Sequence, residues 1–241
     1  MNTSLDIKSL SALERTIIAL DFQDSETVRV FLEKVAECEL KPNYVKVGME
    51  LFYSEGPDIV RLIKDLGFKI FLDLKIFDIP NTAVGAIKSI AKLGVDITNV
   101  HALGSVEMMK RANETLKEYS PESLLIAVTI LTSVDQATLN QDLLINKNLE
   151  DTVIALADKT EEAKLDGVVC SALEASLIQD KCGNDFLTVC PGIRFAENSK
   201  DDQKRVMTPE LAVASGVDYL VMGRAITKAS DLNSVFKKLA V

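Results

Sequence analysis

Short apolar runs alternate with amphipathic segments along almost the whole chain. The apolar runs are rich in Val, Ile and Leu, and this composition predicts strands that are buried on both faces, as the strands of parallel sheets are. The predicted strands lie at residues 16–21, 44–49, the start of 71–82, 97–102, 124–131, 167–171, 186–190 and 219–222. The amphipathic segments predict helices at residues 25–40, 56–66, 82–93, 105–119, within 136–164, at 173–181, from Thr208 onward and at 232–239.

This alternation predicts an α/β protein. Eight strand–helix units without a long interruption favour a (β/α)8 TIM barrel over an open, doubly wound sheet. No linker rich in Pro, Gly or Ser is seen, so we predict a single domain over residues 1–241, with residues 1–14 as an N-terminal capping segment.

Charged and polar residues collect where the predicted strands end, which is the face that carries the active site in such barrels. On a regular strand Asp73 and Lys75 point the same way. A salt bridge with a helix-capping Asp would explain one such pair. A row of alternating acids and lysines is better explained by a site, because buried charges are costly unless they are paired or used. The polar residues at these ends are Asp21, Lys46, Asp73, Lys75, Asp78, His101, Thr132, Arg194, Gly223 and Arg224.

The last two strand ends predict a phosphate site. Gly223 and Arg224 follow the eighth strand, and Pro191 and Arg194 follow the seventh, with Gln203 further along. The loops after these strands commonly bind phosphate in barrels. Exposed ion pairing is the alternative for the two arginines. The polar loop at residues 195–207 is either a solvated connection or a lid, and its length beside a ligand site favours a lid.

Composition and charge limit the classes of function that the chain can have. The net charge of −9 and the pI near 4.8 argue against a nucleic-acid-binding surface but allow a small anionic ligand. The four cysteines have no metal-binding spacing, and no apolar run approaches the length of a membrane span. We therefore expect a soluble cytoplasmic protein with no membrane contact. His101 is the only histidine; a structural role at a strand end is at least as plausible for it as acid–base catalysis.

The chain resembles the orotidine 5′-phosphate decarboxylase family of the bacterial type over essentially its full length. The longest matching motif is Asp-x-Lys-x-x-Asp-Ile-Pro-Asn-Thr at residues 73–82. The matching segments follow one another in the family's order at residues 18–21, 46–48, 73–82, 100–102, 131–133, 191–194, 202–203 and 221–224.

The resemblance implies decarboxylation of orotidine 5′-phosphate to uridine 5′-phosphate and CO₂, the last step of de novo synthesis of that nucleotide, without metal or organic cofactor. It implies that Lys75 protonates C6 of the pyrimidine and that Asp73 faces the departing carboxylate, with Lys46 and Asp78 completing the row. The residues that it implies for substrate binding are Asp21 and Lys46 at the ribose, Thr132 at the pyrimidine edge, and Pro191, Arg194, Gln203, Gly223 and Arg224 at the phosphate.

The resemblance also implies a homodimer, in which Asp78, Ile79 and Thr82 reach the site of the partner subunit. The sequence departs from the family at Phe77, where His is usual, and after His101, where Leu-Gly-Ser replaces Ser-Gly-Gly. We expect altered packing there and unaltered chemistry, and we leave His101 out of the catalytic set.

Three other functions stay open at this point. A magnesium-dependent 3-keto-gulonate 6-phosphate decarboxylase shares the barrel and the Asp-x-Lys-x-x-Asp element, but it would need a second-strand carboxylate where Lys46 stands, although Glu50 is near. A catalytically silent nucleotide-binding barrel would not need the intact charged set. A phosphosugar isomerase or epimerase is suggested by fold analogy alone.

Overall fold

The computed structural model describes residues 7–196 and 206–240. Within them, eight parallel strands close into a barrel in their order along the chain. The predicted (β/α)8 fold is confirmed, whereas the assignment of all 241 residues to one domain stays a prediction. The strands are β1 (Thr16–Ala19), β2 (Tyr44–Gly48), β3 (Lys69–Ile76), β4 (Ile97–His101), β5 (Leu124–Val128), β6 (Gly167–Val169), β7 (Leu187–Cys190) and β8 (Tyr219–Met222).

Helices connect the strands around the outside of the barrel. They are α1 (Ser25–Ala36), α2 (Met49–Glu55), α3 (Asp58–Asp65), α4 (Pro80–Ala91), α5 (Val106–Tyr119), α6 (Gln136–Gln141), α7 (Leu149–Glu162), α8 (Ala175–Cys182), α9 (Pro209–Ala214), α10 (Arg224–Thr227) and α11 (Leu232–Leu239). The sequence did not predict α2 or α10. The predicted helix at 56–66 begins later than expected, at Asp58, and the segment 136–164 contains two helices.

Local sequence signals explain several helix boundaries. Asp24 caps α1, since the Thr27 N–H donates to its Oδ1 at 2.7 Å, and Pro80 occupies the first turn of α4. Gly67 and Gly94 follow α3 and α4 with φ of 84° and 65°, a conformation that favours glycine. The predicted strands at 16–21 and 124–131 are too long, because the chain leaves the sheet at Ala19 and Val128.

The core has two parts. A small cluster fills the inside of the barrel with Ile17, Ala19, Phe71, Ile97, Ile126, Val189, Tyr219 and Val221. A larger layer lies between the barrel and its helices and includes Leu32, Val60, Ile87, Leu116 and Phe236. The barrel interior is thus packed, and ligand space is left at its mouth, beyond the carboxyl ends of the strands.

The third strand contains a bulge at the position that matters for the site. Leu72 pairs with Thr98 and Ile76 pairs with Val100, so residues 73–75 lie opposite Asn99 alone. Lys75 has a φ of 51°, in the left-handed region. The prediction of regular strand alternation from Asp73 to Lys75 is therefore wrong, although both side chains still reach the mouth of the barrel.

None of the helices within the described residues is both long and apolar enough to cross a membrane.

Candidate active site

Four side chains from the first three strands form a charged row, which we define as Asp21, Lys46, Asp73 and Lys75. The Lys46 Nζ lies 3.2 Å from Oδ1 of Asp21 and 3.5 Å from Oδ2 of Asp73. The Lys75 Nζ lies 2.7 Å from Oδ1 of Asp73. Each Asp73 oxygen thus faces a different lysine, and acid and base alternate along the row.

Burial increases along the charged row from its edge to its centre. The Asp21 side chain is 64% exposed, whereas the side chains of Lys46 and Asp73 are 12% and 11% exposed. Burial raises the pKa of Asp73, but the positive charges of Lys46 and Lys75 and hydrogen bonds from Lys75 and Asn99 outweigh it. The net pKa lies below the ordinary value of an aspartate, so Asp73 is ionised near neutral pH.

Two residues outside the predicted set shape this row. The Asn99 side chain, fully buried, donates from Nδ2 to Oδ1 of Asp73 at 2.7 Å. Its Oδ1 accepts a hydrogen bond from the Lys75 N–H at 2.8 Å. A Cβ at Gly48 would lie 3.0 Å from the Lys46 Nζ, so the glycine leaves room for that ammonium group.

The charged row opens into a pocket of about 870 Å³ at the barrel mouth. Thr132 is buried in its wall after β5. The loop after β7 is fixed at its base, because the Arg194 N–H donates to the Met207 carbonyl at 3.1 Å and the Met207 N–H donates to the Gly192 carbonyl at 3.3 Å. The predicted residues that line this pocket are Asp21, Lys46, Asp73, Lys75, Thr132, Pro191, Arg194, Gly223 and Arg224.

The part of the pocket lining that follows β7 and β8, which we call the basic end, carries four basic residues and one acid, Asp231, in the part of the chain that the structure describes. Arg194 and Arg224 line it as predicted, and Lys228 and Lys238, which sequence reasoning did not single out, line it too. Both lysines follow the last strand, on or near α10 and α11, where solvated lysines are ordinary, so the sequence carried no signal for them. Gln203 lies outside the described residues, as does most of the predicted lid.

Three predicted residues lie outside the pocket of their own chain. Asp78, Ile79 and Thr82 belong to the loop after β3 and the first turn of α4, and none of them lines the cavity. All three are exposed, Ile79 by 68%. The Ile79 N–H donates to Oδ1 of Asp78 at 2.7 Å, which orients that carboxylate.

Phe77, which departs from the family pattern, contacts His101, which matches it. The rings of Phe77 and His101 lie with centroids 5.6 Å apart, tilted by 36°. Nδ1 of His101 accepts a long hydrogen bond of 3.4 Å from the Leu103 N–H. Burial, and secondly the positive charge of Lys75, lower the pKa of His101. The imidazole is therefore neutral at pH 7.

The described residues offer no group of three or more His, Cys, Asp or Glu side chains that could hold a metal ion. Glu50, the nearby carboxylate on the second strand–helix unit, is exposed and does not line the pocket. The Lys46 ammonium occupies the place beside Asp73 that a cation would need.

Fold and site together define the class. This is a (β/α)8 barrel whose mouth combines an alternating Asp–Lys row with a basic end that suits a small phosphorylated ligand. Residues 14–239 match the model of the orotidine 5′-phosphate decarboxylase / HUMPS family. The chain belongs to this family, and the resemblance seen in the sequence is confirmed.

Individual relatives agree with this family assignment. The chain is 48% identical over 227 residues to an orotidine 5′-phosphate decarboxylase of Geobacillus thermodenitrificans, covering 92% of this chain and 94% of that one. It is 52% identical over 215 residues to one of Streptococcus suis, covering 89% and 91%. The crystal structure of the Lactobacillus acidophilus orotidine 5′-phosphate decarboxylase superposes with a TM-score of 0.82 at 38% identity, covering 94% of this chain and 97% of that one.

Proposed function

We propose that this protein is a carboxy-lyase of pyrimidine biosynthesis, which decarboxylates orotidine 5′-phosphate to uridine 5′-phosphate and CO₂. The observation that carries this proposal is the charged row, with a buried Asp73 held between two lysines at the mouth of a barrel of this family. Asp21, Lys46, Asp73 and Lys75, predicted at the ends of the first three strands, form that row, whereas Asp78 lies outside the pocket of its own chain.

In the proposed step, the bond between C6 of the pyrimidine and its carboxyl carbon breaks, and its electron pair stays on C6. Asp73 faces the leaving carboxylate, and CO₂ departs. The Lys75 Nζ then gives a proton to C6, which completes uridine 5′-phosphate, and the resulting amine regains its proton from water. Lys75 suits this role because its ammonium group lines the pocket and is held 2.7 Å from the Asp73 carboxylate.

A fixed cation is what such a reaction needs. No cofactor delocalises the developing charge in the proposed mechanism, so a preorganised ammonium in a water-poor pocket gives the main stabilisation. Binding of the phosphate at a distance from C6 supplies the energy that orients the pyrimidine against Lys75. The pocket supports this division, since Asp73 and Lys75 on β3 and Arg194 and Arg224 after β7 and β8 line the same cavity.

The remaining pocket residues receive roles from their positions. Asp21, at the exposed edge of the row, and the neighbouring Lys46 would hold the ribose hydroxyls, and Thr132 would contact the pyrimidine edge. The phosphate would be bound at the basic end. The residues proposed there are Pro191, Arg194, Gln203, Gly223 and Arg224.

We further propose a homodimer in which Asp78, Ile79 and Thr82 complete the site of the partner subunit. Their exposure and their position outside their own pocket support this arrangement. Phe77, which is 61% exposed, and Ile79 form an apolar surface that a partner would cover. A cytoplasmic location is also proposed, supported by four cysteines that carry free thiols.

A magnesium-dependent sugar-phosphate reaction is less well supported. A hard cation beside Asp73 would meet the ammonium groups of Lys46 and Lys75, 3.5 and 2.7 Å from the carboxylate oxygens. We therefore expect full activity in the presence of a chelator.

The proposal is tested by following the loss of orotidine 5′-phosphate by absorbance, with and without a chelator, in two variants. Lys75→Ala should lower kcat by at least about 10⁴-fold, because proton donation and charge stabilisation each contribute 10²-fold or more. It should still bind uridine 5′-phosphate.

Arg224→Ala should instead weaken binding of that nucleotide about 10- to 100-fold, through the loss of charge-assisted hydrogen bonds.

Lys117→Ala is the matched control. Lys117 also lies 3.1 Å from an aspartate, Asp166, but it does not line the pocket. Its loss should leave kcat unchanged. Wild-type protein that binds uridine 5′-phosphate but never consumes orotidine 5′-phosphate would instead support a silent nucleotide-binding barrel and refute the proposal.

A further inference from the structure

Asn99 occupies the one place where the ladder between β3 and β4 is interrupted. Three residues of β3, at positions 73–75, lie opposite it, between the pairs Leu72–Thr98 and Ile76–Val100. Its side chain is fully buried and directed at the charged row. A polar side chain with no exposure needs partners for its hydrogen-bonding groups, and here both partners belong to the bulge.

The two hydrogen bonds fix the Asn99 amide in one orientation. Nδ2 donates to Oδ1 of Asp73 at 2.7 Å, and Oδ1 accepts from the Lys75 N–H at 2.8 Å. Turning the amide over would place its oxygen against a carboxylate and its NH₂ against an N–H, so both contacts would become repulsive. The side chain thus replaces a backbone ladder bond on one side and orients an ionised group on the other.

We infer that Asn99 is a positioning residue, which holds Asp73 and the Lys75 backbone so that the Lys75 ammonium points at the reacting carbon. This inference rests on the proposed function. Oδ1 of Asp73 accepts from both the Asn99 amide and the Lys75 Nζ, so its place depends on both donors. A φ of 51°, as at Lys75, is rare for a residue with a side chain. The side-chain Oδ1 of Asn99 stabilises this backbone conformation by accepting the Lys75 N–H.

The neighbouring Thr98 provides a matched contrast. It is equally buried on the same strand, and its Oγ1 donates to the Leu72 carbonyl at 3.1 Å. It therefore makes the same kind of side-chain bond to β3, but it does not line the pocket and makes no bond to the charged row. A purely structural role for polar residues between β3 and β4 would make loss of either side chain equivalent.

Kinetic measurements on Asn99→Ala and Thr98→Val test the inference. Asn99→Ala should lower kcat about 10- to 100-fold, as expected for a displaced reacting group, with a much smaller change in KM. Thr98→Val should keep both constants at their wild-type values. Circular dichroism confirms folding of each variant.

A second variant, Asn99→Asp, separates the two hydrogen bonds and covers the case in which Asn99→Ala does not fold. Its side chain can still accept from the Lys75 N–H, but when ionised it cannot donate to Asp73. Its kcat relative to wild type should therefore rise as the pH falls and the new carboxyl takes up a proton. The charged and titratable groups connected with this position are Asp73 and Lys75 on β3, which bond to Asn99, Lys46 on β2, which pairs with Asp73, and His101 on β4 itself, which feels the charge of Lys75. Dividing by the wild-type kcat at each pH removes the effect of their own titration.

Amide hydrogen exchange at Lys75 gives a readout that does not depend on activity. Protection should be lost in Asn99→Ala and kept in Thr98→Val. If the wild type does not consume orotidine 5′-phosphate, the proposed function fails and the exchange result alone decides the positioning role. Four results would each overturn the inference. Two concern rates in folded variants: a wild-type kcat in the Asn99 variants, or a loss of kcat in Thr98→Val equal to that in Asn99→Ala. The others are a ratio of Asn99→Asp to wild-type kcat that does not change with pH, and unchanged protection of the Lys75 amide.

Discussion

At the scale of single residues, His101 reports on the electrostatics of the charged row. Its lowered pKa has burial as its larger cause and Lys75 as its smaller one. A histidine whose pKa is lowered by folding stabilises the protein above its unfolded pKa, about 6.5. This stability is lost as the pH falls from that value through the folded pKa.

We predict that NMR titration gives His101 a pKa below about 6.5 in the folded protein. Because it is the only histidine, its ring signals need no assignment. Lys75→Ala should raise this pKa part of the way back, since the positive charge is lost while the burial remains. Arg224→Ala, which does not remove a charge named among the causes, is the control. A folded pKa of 6.5 or above would contradict the prediction.

The sequence predicted the residues of the charged row, but it did not predict Asn99, which holds two of them in place. Asp73 and Lys75 stood out because an apolar strand that ends in charges is costly unless they are used. Asn99 did not, since it lies on a strand with two other polar residues, Thr98 and His101, and the sequence gives no sign of what lies opposite each of them. Its role depends on the register between β3 and β4, which is a long-range pairing.

At the scale of elements, the sequence predicted the strand–helix alternation but missed two short helices that follow strand ends. Hydrophobic periodicity marked all eight strands, because both faces of each are covered. It missed α2, which starts directly after β2, and α10, which has only four residues. Such short helices show no full amphipathic repeat, so their positions are set by tertiary contacts.

Close packing between β6 and β7 gives a prediction at this scale. A Cβ at Gly167 would lie 2.2 Å from the Leu187 carbonyl oxygen, which is backbone and cannot turn away. Gly167→Ala should therefore lower the free energy of unfolding by about 3 kcal/mol or more, at the upper end of overpacking costs.

Gly183→Ala is the control for that experiment. Gly183 has a φ of 88° and a ψ of 166°, a region essentially reserved for glycine, with open space around it, so an added Cβ costs only backbone strain, about 1–3 kcal/mol. Urea unfolding of both variants makes the comparison. A loss in Gly167→Ala no larger than that in Gly183→Ala would show that β6 and β7 move apart easily.

At the scale of the whole molecule, a strongly acidic chain concentrates positive charge in one cavity. The net charge is −9, yet among residues 7–196 and 206–240 the pocket lining has six basic residues, Lys46, Lys75, Arg194, Arg224, Lys228 and Lys238, against three acids, Asp21, Asp73 and Asp231. A cationic cavity in an acidic surface directs a phosphorylated ligand to one place. The same chain leaves Asp78 outside its own pocket, so the proposed site is complete only when a second copy supplies that carboxylate.

Hybrid dimers test this completion. Lys75→Ala and Asp78→Asn should each be nearly inactive as homodimers. When the two chains are unfolded and refolded together in equal amounts, about half of the dimers are mixed. In a mixed dimer one site carries both substitutions and the other carries neither, so activity should recover to about a quarter of the wild-type value. Lys75→Ala refolded with Lys46→Ala is the control and should stay inactive, because both lysines serve the pocket of their own chain. Activity that does not rise in the first mixture would mean that Asp78 acts within its own subunit or not at all.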